Sequence, residues 1–414
     1  MNPFVAGYVD RDRLWQRHML LARHGATASG GVNRQALSAE EVAARRELIV
    51  WGEAAGLSAH TDAAGNFFLR LDGRDPEAAP LLSGSHIDSQ PNGGKFDGVY
   101  GVLAALEAVQ AIRDSGHIPK RAIEVVAWMN EEGSRFAPGM MGSATYAGAK
   151  TLAEILPVRD SADISVAQGL NEMANAFPNV PKRKLGGPVA AYVEAHIEQG
   201  PVLEKHGFSI GVVTGIHGKR TFRVTVTGED AHAGTAASHE RKDALLAATA
   251  MIQALSASMH YRDDMVKFTV GRLEIKPNAP SVVAGHALFS IDLRHPIEAR
   301  LRELGDRVAG LCSENAGPCT VEVVELVTAW PLEFPPAMQT AVRDAAKRLG
   351  LRSMDLPSAA GHDARYLHGI CPSAMIFVPC KAGISHNEAE SATPEDLYDG
   401  ARVLAETLFM LAER

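Results

Sequence analysis

Cysteine is scarce. Cys312, Cys319, Cys371 and Cys380 are the only four in 414 residues, and they form no Cys-x-x-Cys pair. So few and so scattered, they exclude a disulfide framework and lead to the expectation of a reduced, cytoplasmic protein. No apolar run approaches the roughly 20 residues of a membrane span. The first residues, Met1 to Asp10, lack the basic start, apolar core and small-residue cleavage site of a secretory signal. Lysine and arginine form no cluster and the formal net charge is −8, which argues against nucleic acid or an anionic membrane as partner. A small molecule is the expected ligand.

What is present fits an ordinary soluble fold. Hydrophobic residues are 46% and charged residues 22%, so nothing indicates disorder, and the length is too great for one compact core. Ser38-Ala39-Glu40-Glu41 reads as a capping box opening a helix. Strands are expected at 66–71, 80–85 and 122–129, with a helix at 99–112 between the last two. Periodicity fades between about Pro157 and Pro188, read as a surface excursion, and a strand resumes at 190–195. The rhythm then changes. A strand at 221–227, a helix at 243–256, strands at 266–275 and 287–294, a helix at 297–309 and a strand at 320–327 give the order βαββαβ, a split-βαβ sandwich. From Pro335 the chain returns to alternating helix and strand, ending in a helix after Thr393. The expected fold is therefore α/β: a discontinuous domain from residues 1–212 and 330–414, with a ferredoxin-like domain inserted at 213–329.

Chemistry-bearing residues gather where strands end. His86 closes a strand and offers an imidazole for a divalent cation. Asp88 can hold the ring's other nitrogen, and Asp97 can bring a carboxylate back to the same point after the turn through Gly93-Gly94. Asn130-Glu131-Glu132 ends another strand; adjacent carboxylates in extended backbone point to opposite sides, so one can ligate while the other serves as a base. His196 and His386 follow further strands. Three strand-end histidines and two strand-end acids on one domain match two borderline metals held by nitrogen and oxygen with a shared carboxylate. In Ser358-Ala359-Ala360-Gly361-His362-Asp363 small residues run into a helix start, whose N–H groups can bind a substrate oxygen. In the inserted domain, the turns at His232 and Asn278 carry hydrogen-bonding groups, and Arg294 can fork onto a carboxylate. Gly211 to Arg220 looks like a phosphate loop, but its glycine spacing is wrong for one.

The stretches Gly84-Ser85-His86-Ile87-Asp88-Ser89, Gly94-Lys95-Phe96-Asp97-Gly98, Asn130-Glu131-Glu132-Gly133-Ser134-Arg135-Phe136, His196-Ile197-Glu198-Gln199-Gly200-Pro201, His232-Ala233-Gly234-Thr235 and Ile384-Ser385-His386-Asn387 resemble the dinuclear-metal aminoacylase and carboxypeptidase superfamily. Within it, they resemble the amidase branch of N-carbamoyl-L-amino acid hydrolases, β-ureidopropionases and allantoate amidohydrolases. The resemblance runs from the first helix to the last. It implies two divalent ions (Zn, Mn, Co or Ni): His86, Asp97 and His196 at one, Glu132 and His386 at the other, and Asp97 bridging. It makes Glu131 the general base and Asp88 the residue that orients His86. Gln199, His232, Asn278 and Arg294 become substrate contacts, with Gly361 and His362 beside them. His232 is implied to reach the other subunit of a homodimer, which makes the inserted domain both lid and interface. The implied reaction is hydrolysis of an N-carbamoyl amino acid to amino acid, ammonia and carbon dioxide. Allantoate or another N-acyl amino acid is the alternative, and a catalytically silent binder is a distant one. His217 stands where relatives frequently have glutamine, and Ala237-Ser238 replaces a Pro-Met pair.

Overall fold

The computed structural model describes residues 4–259 and 265–414. The chain divides into two units: residues 1–214, 334–356 and 361–414 form the first, and residues 215–333 with 357–360 form the second. Among the described residues no helix is long and apolar enough to cross a membrane.

The first unit is α/β. Its strands are β1 (Ser58–Thr61), β2 (Phe67–Leu71), β3 (Leu81–His86), β4 (Ile123–Trp128), β5 (Ala191–Ile197) and β6 (Ile210–Ile216). The second unit contributes β7 (Gly218–Thr227), β8 (Lys267–Thr269), β9 (Leu273–Lys276), β10 (His286–His295) and β11 (Thr320–Ala329). The chain then returns with β12 (Ser353–Ser358) and β13 (Ser373–Val378). The large sheet runs β1-β2-β4-β3-β5-β13-β6. β4, β3, β5 and β13 are mutually parallel, and β1, β2 and β6 pair antiparallel with their neighbours. Every residue of the four parallel strands is buried, as expected of strands covered on both faces. Helices α1 (Arg11–Leu21), α2 (Ala39–Ala54) and α3 (Val99–Asp114) precede the second unit, and α4 (Pro336–Arg348) and α5 (Pro394–Ala412) follow it. α3 lies deepest: Val99, Val102, Leu103, Leu106, Val109 and Ile112 are all in the core. Each such side chain contributes roughly 1.5–3 kcal/mol on leaving water.

This topology fixes where function can sit. β3 leads through α3 to β4 on one side while β5 pairs with its other side, so the chain changes direction at β3. Ligands collect at the carboxyl ends of strands beside such a switch.

The second unit has a four-stranded antiparallel path, β9-β10-β7-β11, with β8 also on β10. In β10 every second residue is buried, the period of a sheet with one covered face. Phe222, Val224, Phe289 and Ile291 from the strands meet Met251 and Leu255 of helix Ala244–Met259 and Leu304 and Val308 of helix Glu298–Glu314 in one core.

Three local expectations need correction. The strand expected at 266–275 is two strands: Thr269 faces Asp292 whereas Leu273 faces Phe289, so one residue too many is accommodated around Gly271. The excursion at 157–188 holds a helix, Val166–Ala176, opened by a reciprocal capping box between Ser165 and Gln168. At Ser38 the box is only half formed. Its hydroxyl accepts from Glu41 N, but the Glu41 carboxylate instead takes Leu37 N and Arg45.

Candidate functional site

His86 is the last residue of β3, with its ring against Gly98. A Cβ on Gly98 would stand 2.3 Å from two ring atoms, and Gly98 has φ +66°, a conformation open to glycine. His86 Nδ1 meets the main-chain oxygen of Asp88 at 2.9 Å, which leaves Nε2 for other work. His196, on β5, repeats the arrangement with Nδ1 at 2.8 Å from Ile197 O. Between them lies Asp97. Its Oδ1 is 3.2 Å from His196 Nε2 and 3.8 Å from His86 Nε2, and its Oδ2 is 3.2 Å from His386 Nε2. Burial opposes the Asp97 charge, but hydrogen bonds from His196 and His386 prevail and hold it well below the usual carboxylate range.

The turn after β4 carries the two glutamates. The backbone leaves the extended form at Asn130 (φ 54°), whose Nδ2 donates to Phe136 O at 2.7 Å. Strand alternation is thus not what separates Glu131 from Glu132. The Asp88 carboxylate clamps the turn, Oδ1 accepting from Glu131 N (3.2 Å) and Oδ2 from Glu132 N (3.1 Å). Asp88 therefore touches His86 through its carbonyl, its Oδ1 standing 3.5 Å from Nδ1, while its side chain aims the glutamates. Glu131 Oε2 lies 3.5 Å from His86 Nε2; Glu132 Oε2 lies 3.5 Å from His386 Nε2 and accepts from Gln90 at 2.8 Å. Burial pushes the Glu131 carboxyl well up, with Asp363, Glu132 and Asp88 adding to the effect against His86. Burial also lifts Glu132 to about 7. The hydrogen bond to Asp97 lifts His386 to about 9.

Two donor sets result, His86–Asp97–His196 and Asp97–Glu132–His386, with ligand atoms of each set within 4.8 Å of one another. They share Asp97, one oxygen facing each set. Nitrogen and oxygen donors in small groups, with histidine tautomers fixed by main-chain carbonyls, suit borderline divalent cations. A third grouping, Glu194–His196–His362, is different in kind. Both Glu194 oxygens are occupied, by Ser85 Oγ at 2.7 Å on one and by Ala364 N at 3.0 Å and Tyr192 OH at 3.2 Å on the other. Glu194 thereby ties β3, β5 and the turn after β12 together.

Gln199, in a left-handed conformation (φ 56°), donates Nε2 to Asp97 Oδ2 at 2.9 Å. His362 is buried, edge-on to His196 at 4.6 Å between ring centroids. Gly361 faces the end of Met140. The helix that follows spans only Ala364–Leu367, and its first N–H is committed to Glu194. His232, Asn278 and Arg294 belong to the second unit. His232 is exposed, its Nδ1 accepting from Gly234 N and Thr235 N. Asn278 follows Pro277 with φ 55°. Arg294 forks onto Asp292 at 2.8 and 3.1 Å and donates to Ala359 O.

Sequence reasoning gave no role to Gln90, Ser385, Glu390 or Asp363. Glu390 accepts from Phe96 N, Asp97 N and Ser385 Oγ. Its carboxylate fills the place where a Gly94 Cβ would be, 2.0 Å away, so Gly94 is needed for room and Gly98 for the turn. Asp363 is buried, accepts from Ser143 Oγ, and is pushed well up by burial.

Residues 82–410 match the family described as Peptidase family M20/M25/M40. The chain is 38% identical over 410 residues to an N-carbamoyl-L-amino-acid amidohydrolase of Rhizobium meliloti, covering 98% of this chain and 97% of that protein. It is 34% identical to an allantoate amidohydrolase of Bacillus subtilis, covering 95% of each. Among solved structures, an amidase of the hydantoinase/carbamoylase family from Burkholderia multivorans superposes with a TM-score of 0.89 at 41% identity, covering 98% of each chain.

Proposed function

The chain belongs to peptidase family M20/M25/M40, and from that premise we propose that it is an N-carbamoyl-L-amino-acid amidohydrolase, cleaving the C–N bond of a ureido group. The observation that carries the reading is the shared Asp97 with Glu131 beside His86. The residues fit two divalent cations, Zn, Mn, Co or Ni by the donor set: His86, Asp97 and His196 would hold one, and Asp97, Glu132 and His386 the other. When bound, such ions supply Lewis acidity and make water acidic near neutral pH.

The protein's own part follows from the site. Glu131 takes the proton of the attacking water and returns it to the leaving nitrogen; its raised affinity for protons suits both transfers. Asp88 keeps Glu131 in reach by gripping its main-chain N–H. Gln199 steadies Asp97. One water and one N-carbamoyl amino acid give the amino acid, ammonia and carbon dioxide.

A panel of N-carbamoyl-L-amino acids, allantoate and N-acyl amino acids, assayed for ammonia or amine with Mn²⁺- or Zn²⁺-loaded protein, tests this reading. Release from N-carbamoyl substrates is expected, with Glu131→Gln lowering kcat at little change in KM. Silence across the panel overturns it. Preference for allantoate would establish the second reading, which rests on the Bacillus subtilis relative. Arg294→Ala should cost discrimination in favour of carboxylate-bearing substrates if Arg294 is a substrate contact.

We further propose a cytoplasmic homodimer. Four buried free thiols favour a reducing compartment. The outer strand β11 exposes Leu326 and Val327, an apolar edge suited to a second copy. Leu326→Glu with Val327→Glu should give a monomer by light scattering.

A further inference from the structure

Glu390 lies outside both donor sets yet touches the loop of each. Its Oε1 accepts from Phe96 N at 2.8 Å and Asp97 N at 3.1 Å, which fixes the backbone that carries the shared carboxylate. Its Oε2 accepts from Ser385 Oγ at 3.0 Å, on the residue before His386. The same hydroxyl stands 3.0 Å from Asp97 Oδ2. Glu390 is only 4% exposed, and the position of Gly94 is shaped around it: any Cβ there would overlap the carboxylate. His386 needs such support, because it has φ 52° on a loop and a half-exposed side chain.

We propose that Glu390 is a positioning residue that holds Asp97 and His386 in mutual register, so that the two cation positions are bound as a pair rather than one at a time. This rests on the reading of Asp97 and His386 as ligands. A carboxylate buried between loops nearly 300 residues apart in sequence is costly to desolvate. It becomes necessary if the distance between Asp97 Oδ2 and His386 Nε2 must be set before a cation arrives. Partners of this kind are commonly worth 10–100-fold in metal affinity.

The test is calorimetric titration of the cation-stripped full chain with Mn²⁺ or Zn²⁺, together with bound metal counted by mass spectrometry. Glu390→Ala is expected to weaken binding roughly 10–100-fold at the position that includes His386 and to split one coupled isotherm into two separate phases. Glu390→Gln, which keeps an acceptor for the Phe96 and Asp97 N–H groups and can pair with Ser385 Oγ, is expected to recover most of the affinity. Gly94→Ala approaches the same point from the other side and should reproduce the two phases even if Glu390→Ala fails to fold. His386→Ala is the reference and should remove one equivalent. Wild-type isotherms for Glu390→Ala or for Gly94→Ala overturn the proposal. A wild-type chain that binds no cation overturns the ligand reading itself, which is a separate result.

Discussion

Replacing Gly98 by alanine tests how far the site depends on one missing methyl group. Gly98 precedes α3 with φ +66° and ψ −49°, a combination that costs a residue with a side chain roughly 1–3 kcal/mol. The added Cβ would also lie 2.3–2.4 Å from Cε1, Nε2 and Cδ2 of His86. Carbon atoms in contact prefer about 3.5–4 Å, so the ring must move by roughly 1 Å or more. Movement breaks the 2.9 Å link from Nδ1 to Asp88 O, worth about 1 kcal/mol. The sum is about 2–4 kcal/mol off the stability of the first unit, and a cation affinity lowered by roughly 10–100-fold. Gly116→Ala is the control. It sits just past the other end of α3 with φ +75° and nothing within 4 Å of a new Cβ, so it meets the backbone cost alone. Urea unfolding of the cation-free proteins reads the first quantity, and titration calorimetry with Mn²⁺ the second. Gly98→Ala with wild-type affinity, or Gly116→Ala with an equal loss of affinity, refutes the assignment of His86 Nε2 as a ligand held in place by Gly98.

Three further outcomes are expected. His18 is fully buried against Phe96 and Tyr100, and burial drops its pKa to about 3. Because the folded value lies below the unfolded one, near 6.5, the unfolded chain takes the proton first as pH falls. The protein should therefore lose about 1.4 kcal/mol per pH unit from this group below pH 6.5; denaturation at pH 7 and 5 should show a His18→Leu variant with that slope removed, and an unchanged slope sinks the assignment. Arg34, also fully buried, donates to Ile87 O, Leu21 O and His24 O, so Arg34→Met should cost at least about 3 kcal/mol by stranding those carbonyls, measured by chemical unfolding. Asp88→Asn, which replaces one acceptor oxygen by a donor facing the Glu131–Glu132 turn, should lower kcat about tenfold or more while His86 Nδ1 keeps its carbonyl partner; an unchanged kcat shows the clamp to be dispensable.

The parallel strands were legible because each is a short, largely apolar run, buried along its whole length. The strands at 218–227 and 286–295 were legible because alternation survives where one sheet face is exposed, whereas the break near Gly271 left no such mark. β6 was not, since Gly211 and Gly215 gave it the look of a loop. A Cβ on Gly211 would press on Phe377 of the adjoining β13, so that glycine marks close strand packing rather than a turn. The helix Val166–Ala176 was hidden by its polar surroundings, although Ser165 and Gln168 carried its start signal. At the site, the residues expected to bear donor atoms were picked from places at or after strand ends, and the structure brings them together in two groups. Glu390 was not, because its partners Phe96 and Asp97 lie nearly 300 residues away and no local spacing links them. Asp88 was expected to hold the His86 ring; its main-chain oxygen meets that ring, and the grip of its carboxylate on Glu131 and Glu132 could not be read without the turn at Asn130.

The position of β13 bears on the order of assembly. It is the last of the described strands in chain order, yet it lies in the interior of the sheet, between β5 and β6, which both precede it. A nascent chain that has reached residue 372 has His86, Asp97 and His196 but offers two unpaired strand edges where β13 belongs. Such edges recruit other chains. One donor set is complete in sequence by residue 196, whereas the other waits for residue 386. Removal of the final 42 residues would therefore leave an open sheet prone to aggregation, not a smaller protein with one cation position intact.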